Sequence, residues 1–345
     1  MDQDSTVSEK LNIEQIVSDI LSTIERERER EIIARRYGLF DRKETLEQIG
    51  ELLNITRERV RQLEKAVMSR LKSVAEKELP MLQRFEHAVI AEISSLGHLA
   101  RISDITARLT KANSKIDQSR VSFLAQLSPG LSVIDDNDHF FHAIGVKVEH
   151  DEKKIKESVG AVVAAIKQLG KPVTAESIKE AVGAVDHVTI AALAGISKQL
   201  ATLNGQWGLV KWPLVNPKNI RDKIYVILRD NKKPMHFGDI ASAIRGSSFK
   251  RKDVTTQAIH NELIKDKRFV LIGRGIYALQ EWGYSKGTVA DIITEVLKDA
   301  AQPLHRDEIV KRVLKHRQVK ETTILLNLQG KKNFKRVAKA TYDLA

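Results

Sequence analysis

The chain has no cysteine in 345 residues, which excludes disulfide frameworks, Cys-ligated zinc, iron–sulfur clusters and thiol nucleophiles together. Aromatic residues make up only 5%, so small helical modules fit better than one large aromatic-rich core. No apolar run approaches the 18 residues of a membrane span, and the start MDQDSTVSEK is polar and acidic. A cytoplasmic protein with no membrane partner is therefore expected. A phosphate loop, HExxH, paired catalytic carboxylates and a Ser/His/Asp pattern are also missing. Gly273-Arg274-Gly275 lacks the third glycine and the strand-to-helix setting of a nucleotide loop. The expectation is a protein that is not an enzyme, with no cofactor, no metal and no small-molecule substrate.

What is present is 42% apolar and 30% charged residues, a composition that builds folded cores. The formal net charge of +12 points to a polyanionic partner. Residues 1–80 carry 15 Lys+Arg against 17 Asp+Glu, and residues 81–216 carry 15 against 14. Residues 217–345 carry 27 against 14, so nearly all the excess lies in the last third.

One phrase recurs along the chain: Leu99–Ile105 (LARISDI), Pro172–Ile178 (PVTAESI), Pro234–Ile240 (PMHFGDI) and Pro303–Ile309 (PLHRDEI). Successive isoleucines lie 73, 62 and 69 residues apart. An amphipathic segment precedes each copy, and a second helical stretch and a short β-type pair follow it. The second pair turns at Asn204-Gly205, the third at Gly273-Arg274-Gly275, and Phe334–Tyr342 repeats the third. Three helices and a two-stranded wing are the winged-helix plan. Polar stretches at Lys147–Lys156, Pro213–Asn219 and Glu281–Gly287 set the boundaries. The expected fold class is mainly α: a helix-turn-helix domain (1–80) followed by winged-helix modules at 81–147, 155–213, 218–282 and 287–345.

The sharpest motif is Thr45–Leu71, TLEQIGELLNITRERVRQLEKAVMSRL. Leu46, Ile49, Leu52 and Leu53 place one helix; Val60, Leu63, Val67 and Leu71 place a second. Asn54 suits the left-handed cap between them, Thr56 can N-cap the second helix, and Gly50 is small where the two helices cross. The second helix exposes Arg57, Glu58, Arg61, Gln62 and Lys65. Arg can donate two hydrogen bonds to guanine, Gln can pair with adenine and Glu can accept from cytosine. Helix 57–72 has a local charge of +4 inside a segment that nets −2.

The string IERERERE–IIARRYGLF–DRKETLEQIGELLNITRERVRQLEKAVMSRLK closely resembles region four of the primary-type bacterial sigma factors, over Ile24–Lys72. The resemblance implies a helix-turn-helix that reads the −35 promoter element in the major groove. It makes Arg57, Glu58, Arg61 and Gln62 the base-reading set and puts Arg59 and Lys65 near phosphates. It further implies double-stranded promoter DNA and core RNA polymerase as partners, with a bacterial, nucleoid-associated location. In that family an apolar face docks on the polymerase flap. Ile32, Ile33, Tyr37 and Leu39 are candidates for that face or for plain core, and core is favoured. Nothing resembles the sigma regions that bind the polymerase clamp and melt the −10 element.

Residues 218–282 resemble the HARE-type winged helix, a domain also found in the delta subunit of bacterial RNA polymerase, on KPMHFGDIASAI and TTQAIHNELIKDKRFVLIGRGIYAL. Residues 287–345 look like a diverged second copy. Lys250, Arg251, Lys252, Arg274, Lys331 and Lys332 are candidate phosphate contacts, and the helix bearing Thr255, Gln257, His260 and Asn261 is of recognition type. His236 and His305 are expected to cap or pack rather than bind metal, and Trp207 and Trp212 to lie in the core. Asp135-Asp136-Asn137-Asp138 would repel phosphates, so the first wing is expected to meet protein or a neighbouring module. The expected function is promoter DNA binding in transcription initiation. The alternatives are a polymerase-associated scaffold whose modules bind protein and, less favoured, the specificity subunit of a DNA-modifying system.

Overall fold

The structure, a computed structural model, describes residues 11–183, 186–249, 251 and 253–345, with main chain alone at 76–78. The chain divides into two compact units at Val210/Lys211. The fold is mainly α, with a helix-turn-helix and small antiparallel sheets.

Unit 1 opens with four helices, α1 (Ile13–Ser22), α2 (Glu27–Tyr37), α3 (Leu46–Leu53) and α4 (Arg57–Glu78). Next come α5 (Pro80–Ser94), β1 (Leu99–Arg101), α6 (Ile102–Leu109), α7 (Lys115–Leu127), β2 (Leu131–Ile134) and β3 (Ala143–Val146). The order then repeats as α8 (Glu152–Leu169), β4 (Val173–Thr174), α9 (Ala175–Val182), α10 (His187–Ile196), β5 (Leu200–Leu203) and β6 (Gln206–Leu209). In each set the first strand pairs antiparallel with the third, giving the sheet orders β1-β3-β2 and β4-β6-β5.

Unit 2 runs through the same order twice. The first pass is α11 (Ile220–Asn231), β7 (Met235–His236), α12 (Phe237–Gly246), α13 (Thr256–Lys265), β8 (Phe269–Gly273) and β9 (Ile276–Leu279). The second is α14 (Val289–Ala300), β10 (Leu304–His305), α15 (Arg306–His316), α16 (Glu321–Gly330), β11 (Phe334–Ala338) and β12 (Thr341–Leu344). Helix, strand, helix, helix, hairpin is the winged-helix order.

The recurring phrase therefore encodes a strand and a helix start. Its isoleucine is the buried anchor of the second helix, with Ile105, Ile178, Ile240 and Ile309 all fully buried. Strands of two or three residues are too short for alternation to show in the sequence, so the wings read there as two-stranded are three-stranded sheets. Asn204 and Gly205 both take positive φ, 50° and 74°, as a two-residue hairpin turn requires. His236 and His305 are helix caps: Gly238 N–H donates to His236 Nδ1 (3.1 Å) and Asp307 N–H to His305 Nδ1 (3.4 Å). Trp207 and Trp212 are half-buried rather than core.

One apolar core in unit 1 crosses the boundary expected between residues 80 and 81. It joins Ile16 and Ile20 of α1, Ile33 and Leu39 beside α2, Val67 and Leu71 of α4, Phe85 of α5 and Phe123 of α7. A smaller cluster of Ile32, Ile49 and Val60 holds the helix-turn-helix. Helix α7 is central: Arg120, buried on it, donates from Nε to Leu39 O (2.7 Å) and pairs with Glu14 of α1 (3.0 Å). The β2–β3 connection reaches the following repeat. Phe141 N–H donates to Ile196 O (2.8 Å), Lys198 N–H donates to His139 O (2.8 Å), and the Lys198 ammonium pairs with Asp136 (3.0 Å). The acidic wing thus faces a neighbouring repeat.

In unit 2, Gln318 N–H donates to Ile272 O (3.0 Å). A Cβ added at Gly273 would stand 2.8 Å from Gln318 O, so the wing backbone passes too close there for a side chain.

Candidate nucleic-acid interface

Local chemistry builds the helix-turn-helix. Thr45 and Gln48 form a capping box at the start of α3: Gln48 N–H donates to Thr45 Oγ1 (3.2 Å) and Thr45 N–H to Gln48 Oε1 (2.9 Å). Asn54 ends α3 in the left-handed conformation, φ 52° and ψ 51°. Its short polar side chain makes that region cheaper than for most residues. Ile55 N–H donates back to Gly50 O (2.9 Å), and a Cβ at Gly50 would lie 2.7 Å from Ile55 O. Only glycine leaves room for so tight a turn. Thr56 then caps α4 by accepting from Arg59 N–H (3.2 Å).

Tertiary contacts fix the pair of helices. Arg28 of α2 donates to Leu53 O at the end of α3. Glu29, buried, takes Arg26 (3.5 Å) and Arg70 of α4 (2.6 Å). The C-terminal half of α4 sits in the large core through Val67, Met68, Leu71 and Ala75, and its N-terminal half packs on α2 and α3 through Val60. Leu52 differs from its expected place: it is exposed, while Leu46, Ile49 and Leu53 pack inward.

Every expected base-reading residue is on the open face of α4. Arg57, Glu58, Arg61 and Gln62 are exposed, as are Arg59 and Lys65. They are not free of one another. Arg57 pairs with Glu47 of α3 (2.8 Å), Arg61 grips both oxygens of Glu58 (2.7 and 2.9 Å), and Arg59 donates to Gln62 (3.3 Å). The Arg61 bonds hold the Glu58 carboxyl below its ordinary range, and Glu58 in turn raises the Arg61 guanidinium. Glu47 is held low first by its own backbone N–H at the helix start and then by Arg57. These pairs are solvated, so exchanging them for base edges costs little. Glu47 lies ten residues from Arg57 on another helix, and no local pattern in the sequence marks it as a partner.

Ile32, Ile33 and Leu39, weighed as a polymerase-docking face, are fully buried. Tyr37 packs its ring on Phe123 (5.1 Å between centroids), and burial beside Glu64 raises its phenol. Ile32, Ile33 and Leu39 are core, and Tyr37 is half-buried against it.

The phosphate candidates of unit 2 lie on two different sheets and their approaches. Arg274 is exposed in the β8–β9 turn, and Lys331 and Lys332 are exposed between α16 and β11. Arg251 is exposed at φ 52°, and its carbonyl accepts from the buried Lys223 ammonium of α11 (2.6 Å). Desolvation lowers the Lys223 pKa. That lysine, missed in the sequence, secures the loop; Lys250 and Lys252 fall outside the described residues. On α13, Thr255 is spent as the N-cap and His260 packs its ring at a tilt against Phe237 (4.9 Å between centroids), leaving Gln257 and Asn261 exposed.

A family model for sigma-70, region 4 matches residues 26–73. The motif is that of sigma-70 region 4. Over 54 residues the chain is 50% identical to the RNA polymerase sigma factor SigA1 of Synechococcus elongatus, covering 15% of this chain and 13% of that protein. It is 51% identical over 49 residues to RpoD of Helicobacter pylori, covering 14% and 7%, and 44% identical over 57 residues to SigA of Microcystis aeruginosa, covering 16% and 14%. The matches thus span a small fraction of each relative's length. All of them fall on the region 4 segment, whose exposed face is the row of side chains on α4.

Proposed function

We propose that this chain is a sigma-related DNA-binding protein of transcription initiation. In this reading α4 lies in the major groove of a −35-like element. Arg57, Glu58, Arg61 and Gln62 read base edges, and Arg59 and Lys65 meet phosphates. The observation that carries the reading is the open face of α4, anchored by its other half in the core, within a segment that matches sigma-70 region 4. The repeats at 81–147, 155–213, 218–282 and 287–345 act as winged-helix modules in this proposal. Those of unit 2 contribute sequence-independent phosphate contacts through Arg251, Arg274, Lys331 and Lys332, together with Lys250 and Lys252. Core RNA polymerase is the protein partner. No helix among the described residues is long and apolar enough to cross a membrane.

A polymerase-associated scaffold is the second reading, favoured by one observation in unit 1. There the helices equivalent to recognition helices are consumed by packing: α7 buries Arg120, Val121, Phe123 and Leu124, and α10 buries Ile190, Leu193 and Ala194. In this reading the 81–147 repeat serves as a platform for the helix-turn-helix, and the 155–213 repeat packs on the 81–147 repeat.

Fluorescence anisotropy on duplexes with and without a −35-like element separates the readings. The first expects a preference for the element, and Arg57→Ala should remove about 1–3 kcal/mol of discrimination at one base position. Equal weakening on both duplexes would reduce Arg57 to a phosphate contact. Capture of core polymerase with no sequence preference on DNA would favour the scaffold.

A further inference from the structure

Away from the reading face, a cavity of about 760 Å³ opens in unit 1 between the α2–α3 loop and the start of α6 and α7. Its volume falls in the range of small-molecule sites. Arg42, Lys43, Arg101, Lys115, Phe141 and His142 line it. We propose that this cleft binds a phosphorylated small molecule, its phosphates held by Arg42, Lys43 and Lys115 and its body against Phe141 and Arg101.

The charge inventory carries the proposal. Among the described residues Arg42, Lys43 and Lys115 make no ion pair, although they converge on one concavity. Desolvation lowers the Lys43 pKa; the nearby Asp135 carboxylate works against that shift and Arg36 adds to it. Lys43 stands near Arg36 on a cleft also lined by Arg42 and Lys115, and a bound anion would relieve the repulsion among these cations. Two carboxylates also line the cleft and Asp135 lies near Lys43 and His142, but among the described residues none of the three is in an ion pair with Arg42, Lys43 or Lys115. Asp136 is engaged by Lys198 (3.0 Å), and Asp41 accepts the Arg42 backbone N–H (2.8 Å).

The remaining wall is rigid. Arg101 donates from Nε to Gly195 O (2.6 Å) and lays its guanidinium 3.9 Å over the Phe141 ring. His142 is fixed to Ser122 Oγ (2.9 Å), and burial with Lys43 beside it favours the neutral ring. A neutral imidazole hydrogen-bonds a ligand without adding charge. None of the residues assigned to DNA reading lines this cleft, so the proposal stands or falls independently of promoter binding. The loop concerned, residues 41–43, leads directly into the capping box of α3, so a ligand there would also hold the entry to the helix-turn-helix.

Isothermal titration of the full chain with ATP and, separately, with inorganic pyrophosphate tests the idea. Saturable one-to-one binding of at least one probe is expected. Lys43→Glu and Lys115→Glu should each weaken it tenfold or more, and Lys171→Glu, exposed and outside the cleft, should leave it unchanged. Both cleft side chains are exposed and unpaired, so the fold is not at risk, and a ligand-induced rise in the unfolding midpoint of the wild type gives a second readout. The proposal is overturned if neither probe saturates by about 1 mM, or if Lys171→Glu weakens binding as much as the cleft variants do. It is also overturned if Lys115→Glu lowers duplex affinity while neither probe binds, since the cleft would then belong to the DNA track.

Discussion

Gly50→Ala and Gly160→Ala are the same change in two helices, and the structure gives them opposite signs. By helix propensity alone, each should stabilise by about 0.8–1 kcal/mol. Gly160, exposed in the middle of α8, has open space where a Cβ would go, so it should realise that gain. At Gly50 the new Cβ would stand 2.7 Å from Ile55 O and 3.4 Å from Arg57 N, both backbone atoms of the turn. Overpacking of this kind costs about 1–3 kcal/mol, which outweighs the propensity gain and leaves a net loss of roughly 1 kcal/mol. In a unit of about 200 residues that moves the midpoint by about 2–4 °C per kcal/mol, down for Gly50→Ala and up for Gly160→Ala in calorimetry. The displaced atoms also set the start of α4, so Gly50→Ala should lose sequence preference on duplexes as well. A higher midpoint for Gly50→Ala would refute the close approach and with it the tight turn.

Asn54→Gly should be nearly neutral in denaturant unfolding, whereas Asn54→Val should cost about 1–2 kcal/mol, because a β-branched residue resists the left-handed region. Equal effects would show that position 54 does not hold φ 52°. Asp186 caps α10, accepting from Val188 N–H (2.8 Å) and Thr189 N–H (3.1 Å), so Asp186→Ala should cost about 0.5–2 kcal/mol at neutral pH. Its carboxyl is held below the ordinary value of 3.8, chiefly by the Thr189 hydroxyl. The cap's contribution is therefore complete above that value and fades as pH falls through the depressed one. The stability gap between wild type and variant should close on acidification below 3.8; a gap unchanged in that range would rule out the ionised cap. Neutralising both Lys331 and Lys332 should make the slope of log affinity against log salt shallower by about 1.8 if both contact B-DNA phosphates, and an unchanged slope would remove them from the interface.

The sequence foretold the helix-turn-helix almost residue by residue because its determinants are local. Asn54 and Thr56 act on backbone groups within four positions, and Gly50 acts on the turn that follows it, whereas the Thr45–Gln48 capping box was not read. The expected reading face was equally legible, because helical spacing alone decides which side chains oppose Val60 and Val67. The wings were foretold where the turn demands positive φ, as at Asn204-Gly205. The first strand of each sheet was missed, being too short for a periodic signal. Leu52 was misjudged because spacing marks a stripe without saying how wide the partner surface is.

Local order, caps, repeat spacing and the chemistry displayed on α4 were thus settled by the sequence itself, through relations between near neighbours on the chain. The tertiary structure alone decided that one core runs from α1 through α7, that α7 and α10 are spent on packing while α4 stays open, and that Arg57 answers to Glu47. Those outcomes depend on apolar burial, which is non-directional. Many faces of similar pattern compete for the same partners, and only the assembled chain shows which were covered.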